Sequence, residues 1–152
     1  MKYINTLIIA ILTAGKIYSC TCAPTQPLTF CKEMNLAWHS VVLKGEVLRY
    51  QGHGIRLHVL DTLKGTETRD SVTVWGDNGF LCRYYTSVFK PGDTVVLILD
   101  RIIQSNSVEK VNDYSIAACG VTYLHVRKDS IYSDTKFPYQ TPMMITKTDS
   151  VM

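Results

Sequence analysis

Cys20-Thr21-Cys22 stands directly after a segment with the makings of an export signal, and that position gives the motif its chemistry. A chain cut after Ser19 begins at Cys20, so a free α-amino group and a backbone carbonyl sit on one residue. Together they can close a five-membered chelate on a metal ion. An α-amino group titrates at about pH 8 in peptides, so a useful fraction is neutral at physiological pH, and a bound metal favours that form. As a metal site in its own right, Cys-x-Cys is a weak signature, because structural zinc sites need a full tetrahedral ligand set. His39, His53, His58 and His125 are scattered, with no His-Glu-x-x-His pair and no nucleophile motif, and read as surface or strand-packing residues. The chain therefore reads as no enzyme, with no cofactor of its own.

The export signal consists of Lys2 in a short positive start and an apolar, small-residue run over 7–15, of signal-peptide length and too short to span a bilayer. Ser19 is small enough to precede the cut. Residues 1–19 thus read as a signal peptide and the protein as secreted, into an extracellular or periplasmic space. Losing Lys2 and Lys16 reduces the 16 basic side chains to 14, against 13 acidic ones. That near-neutral balance provides no basic groove for a polyanion. Tyr84, Tyr85 and Phe89 with Arg83 and Lys90 hint at a stacking platform for single strands. Export and charge assign them instead to barrel and interface packing, and no nucleic-acid partner is expected. All five cysteines lie at or beyond Cys20, so disulfides are the default, and the odd count leaves at least one thiol over.

The elements that must position these residues are mostly strands. Residues 40–50 are rich in β-branched side chains, and Gln51-Gly52-His53-Gly54 follows as a turn. Ile55, Leu57 and Val59 then alternate with Arg56 and His58, the period of a half-buried strand running to about Leu63. Lys64-Gly65-Thr66 ends it, 71–75 repeats the alternation through Val72 and Val74, and Gly76-Asp77-Asn78-Gly79 is a strong turn signal. Pro91-Gly92-Asp93 leads into 94–99, whose unbroken apolar run predicts a strand buried on both faces. Residues 114–118 and 121–126 are the last strand candidates. Residues 28–38 predict one helix, capped by Thr29, with Phe30, Met34 and Ala37 on a core-packing face. The full chain is 46% hydrophobic and 19% charged, and its exported part fits one globular domain. Five or six short strands at this spacing imply a small closed or nearly closed β-barrel. The domain spans 20–126, and 127–152 reads as a polar, partly ordered tail.

Cys20-Thr21-Cys22-Ala23-Pro24, then Thr29-Phe30-Cys31, then Ser40-Val41-Val42-Leu43-Lys44-Gly45-Glu46-Val47 resembles the start of the N-terminal domain of the tissue inhibitors of metalloproteinases, within the wider netrin-like family. Leu63-Lys64-Gly65, Cys82 with Tyr84-Tyr85, the Gly92-Asp93 turn and Cys119 follow in the same order. Arg83 stands where the family commonly has glycine, and no cysteine follows Cys119 to pair with Cys31. The resemblance implies an oligonucleotide/oligosaccharide-binding (OB) type five-stranded barrel with flanking short helices, stapled by disulfides pairing Cys20 with Cys82 and Cys22 with Cys119. It implies a secreted inhibitor whose Cys20 amine and carbonyl occupy the zinc of a partner metalloproteinase. Thr21 then enters the specificity pocket beside that zinc, Ala23 and Pro24 lie in the substrate groove, and Phe80 and Leu81 pack alongside.

A second reading is open. Ile17-Tyr18-Ser19-Cys20 also resembles, poorly, a bacterial lipoprotein processing site, at which Cys20 carries lipid. Four cysteines then remain for Cys31–Cys82 and Cys22–Cys119 pairing, and the chain is an outer-membrane-tethered or netrin-like binding module without an inhibitory end.

Overall fold

The computed structural model describes residues 29–36, 40–128 and 130–132. Among them the chain runs α1 (Phe30–Leu36), β1 (Ser40–Gln51), β2 (Gly54–Lys64), β3 (Ser71–Trp75), a 3-10 turn (Thr86–Val88), β4 (Thr94–Arg101), β5 (Tyr114–Ser115), β6 (Tyr123–Arg127) and β7 (Ser130–Tyr132). The strands are ordered β1-β2-β3-β5-β4-β6-β7, and β1 also pairs with β4. That extra pairing closes the first five into a barrel. All pairings are antiparallel except β3 with β5, which is parallel. The molecule is thus mainly β, a closed five-strand barrel with one short helix among the described residues, consistent with the expected OB-like form.

Two apolar clusters follow from the period-two alternation of strand side chains. Val41, Leu43 and Val47 of β1, Ile55 and Leu57 of β2, Val72 and Val74 of β3, and Val95, Leu97 and Leu99 of β4 fill the barrel with Phe89, Tyr114 and Ile116. The intervening Val42, Val96 and Ile98 point outward and form a second cluster with Phe30 and Leu124, against which Met34, Val126 and Ile131 pack. β4 is therefore covered on both faces, as its unbroken apolar run predicts. Thr29 caps α1 by accepting a bond from Lys32 N at 3.4 Å. Lys64 Nζ donates to Met34 O, satisfying one of the carbonyls a helix end leaves open.

The structure differs from the sequence reading at three places. β5 is only Tyr114–Ser115, and β6 begins at Tyr123, because the intervening chain turns away after a single bridge between Arg83 and Ala117. β7 lies in the segment read as a partly ordered tail, where the sequence reading assigns no strand. It pairs with β6 through a turn in which Lys128 takes φ +52°, and Ile131 packs on the outer cluster. The sequence reading missed it because three residues are too few to show a period.

Gly45 marks a register shift between β1 and β2. A Cβ there would lie 2.6 Å from the carbonyl oxygen of His58 and 2.6 Å from the Leu57 side chain. Gly45→Ala is expected to cost about 2 kcal/mol or more through this overpacking, read as a lowered urea midpoint. An unchanged midpoint would show that β1 and β2 are not held this close.

Candidate functional site

Leaving β3, the chain turns at Gly76 and makes a ledge over 77–85. Gly76 N donates to His53 O at 3.1 Å, and Asp77 N to Tyr84 O at 3.1 Å. A Cβ on Gly76 would meet Tyr84 O at 2.6 Å, so the ledge needs glycine there to close. The Asp77 carboxylate accepts from Gly79 N and from Arg83 N, and Asn78 Oδ1 accepts from Phe80 N at 3.1 Å. With its backbone held this way, Phe80 projects outward, 92% exposed. Leu81 is half-buried beside it. Phe80, Leu81, Cys82, Tyr85, Val88 and Ala118 border a groove of about 500 Å³.

Cys82 and Cys119 lie near the Arg83–Ala117 bridge, and both are disulfide-bonded. Cys31, on α1, is an exposed free thiol. Cys20, Thr21, Cys22, Ala23 and Pro24 lie outside the described residues, as does His39. The ledge therefore brings together Phe80, Leu81 and Cys82 of the expected contact set.

The ledge is pinned by a buried carboxylate that the sequence did not single out. Glu109 is 3% exposed and accepts hydrogen bonds from Nη1 and Nη2 of Arg83, the latter at 3.1 Å, in a two-pronged pair. His53 Nε2 stands 3.4 Å from the same carboxylate. The Arg83 hydrogen bonds hold the Glu109 carboxyl below its ordinary range against the opposing effect of burial, with His53 adding to the lowering. The His53 ring packs on Trp75 at 5.0 Å, and Trp75 Nε1 donates to Asp113 Oδ2 at 2.8 Å. One network thus ties the β1–β2 turn, the ledge and the 102–113 loop together. Glu109 sits in a polar stretch without a motif, and only the fold brings it to Arg83.

His58 Nδ1 lies 2.9 Å from Asp70 O, and His125 meets the rings of Phe89 and Tyr123. Phe89 is fully buried, and Tyr84 OH lies 2.8 Å from Tyr123 OH, so two of the three aromatics noted in the sequence serve the barrel, while Tyr85 stays exposed. Among the described residues no group of three His, Cys, Asp or Glu is arranged to hold a metal ion.

A second polar constellation lies at the opposite end of β3. Glu67 accepts from Arg69 Nε at 2.9 Å and from Tyr114 OH at 2.7 Å. The Arg69 hydrogen bonds chiefly, helped by Tyr114, pull the Glu67 carboxyl from its ordinary 4.5 to about 2, against the effect of burial. Burial and the adjacent Glu67 raise the Tyr114 hydroxyl.

The chain matches no family model, no curated protein and no solved structure.

Glu109→Gln removes the charge that holds Arg83. Local opening of the ledge should become easier by about 2 kcal/mol, seen as amide exchange over 77–85 accelerated on the order of thirtyfold. Exchange at the wild-type rate would show that the ledge does not depend on this pair. Glu67 acts on global stability with a definite sign. Its carboxyl is more acidic folded than unfolded, so the ion pair's contribution is fully present above about pH 4.5, falls with pH, and is gone below about pH 2. Glu67→Gln should cost about 2 kcal/mol at pH 7, allowing for the solvent exposure of Arg69. The gap to wild type should close as unfolding is measured from pH 5 down to about 2. A gap independent of pH would remove the charge from the explanation.

Proposed function

We propose that this chain is a secreted inhibitor of zinc metalloproteinases, acting through the α-amino and carbonyl groups of a mature N-terminal Cys20. The observation that carries the reading is the pinned ledge, on which the disulfide-bonded Cys82 adjoins the outward Phe80 and Leu81. The closed barrel and the disulfide-bonded Cys119 agree with a netrin-like, OB-type scaffold. In this reading the bridges at Cys82 and Cys119 run to Cys20 and Cys22.

A catalytic zinc keeps one position open for the water that attacks the substrate. The Cys20 amine nitrogen and carbonyl oxygen take that position as a chelate, and the water leaves. Thr21 fills the neighbouring specificity pocket, Ala23 and Pro24 follow the substrate groove, and Phe80 with Leu81 covers the flank. Two bridges close to the chain end hold the chelator still, so little conformational entropy is lost on binding. The inhibitor supplies no metal: the zinc belongs to the partner.

The test compares protein beginning at Cys20 with protein carrying one extra alanine in front of it, against a panel of zinc proteases. The extension moves the amine off the chelating residue, so inhibition of any responsive protease should weaken on the order of a hundredfold or more, about 3 kcal/mol. Equal inhibition by both forms would sink the chelation mechanism. Intact-mass analysis of protein from its native host gives the companion result: a lipid adduct on Cys20 would make the chain a membrane-tethered binding module instead.

A further inference from the structure

The network around Tyr114 contains more positive than negative charge, and it displays the two unequally. Glu67 is its one carboxylate. The Glu67 side chain is 4% exposed, and both oxygens are engaged, Oε1 by Arg69 and Oε2 by Arg69 and Tyr114. Two guanidiniums share the same buried ring: Arg69 lies 5.5 Å and Arg101 5.6 Å from the Tyr114 centroid. Their positions are set in advance. Arg69 Nη2 donates to Asn112 O at 2.8 Å. Arg101 donates to Tyr114 OH at 3.2 Å, Thr66 O at 3.3 Å and Asn112 Oδ1 at 3.4 Å. Arg69 remains 40% exposed, and Arg101 is exposed.

Both arginines line one cleft of about 390 Å³, together with Thr66, Glu67, Thr68 and Asn112. A guanidinium carries five N–H donors, and the bonds that fix Arg69 and Arg101 engage only part of each set, so each arginine retains donors beyond those that fix it. Asp100 stands at an outward position of β4, the opposite parity from Arg101, and Asp113 is held by Trp75. The cleft therefore presents guanidinium donors while its one carboxylate is turned inward.

We propose that this cleft binds a tetrahedral oxyanion, phosphate or sulfate, gripped between the Arg69 and Arg101 guanidiniums. The planar fork of arginine matches such oxygens in two-pronged geometry. Packing on Tyr114 and bonding to Thr66 and Asn112 restrict both side chains before the anion arrives, which lowers the entropy lost on binding. The site lies at the opposite end of β3 from the ledge and stands whether or not the chain inhibits a protease.

The test is a titration of the isotope-labelled full chain, following arginine Nε–H and Tyr114 ring resonances, with inorganic phosphate, inorganic sulfate or glucose 6-phosphate replacing chloride at constant ionic strength. Saturable shifts at Arg69, Arg101 and Tyr114 are expected, with a dissociation constant on the order of 1 mM for at least one anion. Binding of the inorganic ions but not the sugar phosphate identifies a free ion as the ligand. Binding of the sugar phosphate as well identifies a phosphoryl group carried on a larger molecule. Arg101→Gln should weaken binding at least tenfold, while Arg49→Gln, a change on β1 outside the cleft, should leave it within twofold. Arg101→Lys keeps the charge without the fork and should bind several-fold more weakly than wild type, which provides a second reading if Arg101→Gln does not fold. Shifts that rise without saturating for every anion, or equal affinity in the Arg101 and Arg49 variants, would overturn the proposal.

Discussion

The antiparallel pairing of β1 with β4, from Ser40 opposite Asp100 to Glu46 opposite Thr94, is the constraint on which the remaining structure depends. It turns a sheet into a barrel and gives β4 partners along both edges: β1 on one, β5 and β6 on the other. Closure removes sheet edges that would otherwise invite other strands. It also forces successive β4 side chains into two environments. Val95, Leu97 and Leu99 close the interior, while Val96 and Ile98 become the floor on which α1 and the β6–β7 hairpin rest. The paired strands β1 and β4 thus each contribute side chains to both apolar clusters.

Polar networks anchor loops at opposite ends of β3, each built around a nearly buried carboxylate. An unpaired charge in such a place would be strongly destabilising. Glu109 is compensated by Arg83 and approached by His53, and Glu67 by Arg69 and Tyr114. The first pair fixes the ledge that displays Phe80. The second fixes the loop before β3 against Tyr114 and Arg101. In both, one arginine does two jobs: it neutralises a carboxylate and orders a loop whose own sequence has no regular structure.

The alternation of Ile55, Leu57 and Val59 with Arg56 and His58 was legible because each residue's environment is set by the strand's own period. Two of those apolar side chains are fully buried, and the polar ones are half-buried. The unbroken run at 95–99 was legible for the same reason, as was the Thr29 cap, whose partner is three residues away. β5 and β7 were not legible. They consist of two and three residues, and their partners are distant in the chain or beyond a tight turn. Glu109 was invisible for a related reason: its partners Arg83 and His53 are 26 and 56 residues away. Of the candidate contact set, the sequence singled out Phe80 and Leu81 through a resemblance, whereas their outward display depends on hydrogen bonds around Asp77 and Asn78.

The sequence by itself determined the class of the fold, because side-chain period and turn chemistry act over a few residues and need no distant partner. Only the tertiary structure decided how the strands close, which arginine meets which carboxylate, and that two guanidiniums share one tyrosine ring. Those outcomes require residues far apart in the chain to arrive at one place, and no local pattern encodes where a barrel will bring its ends together.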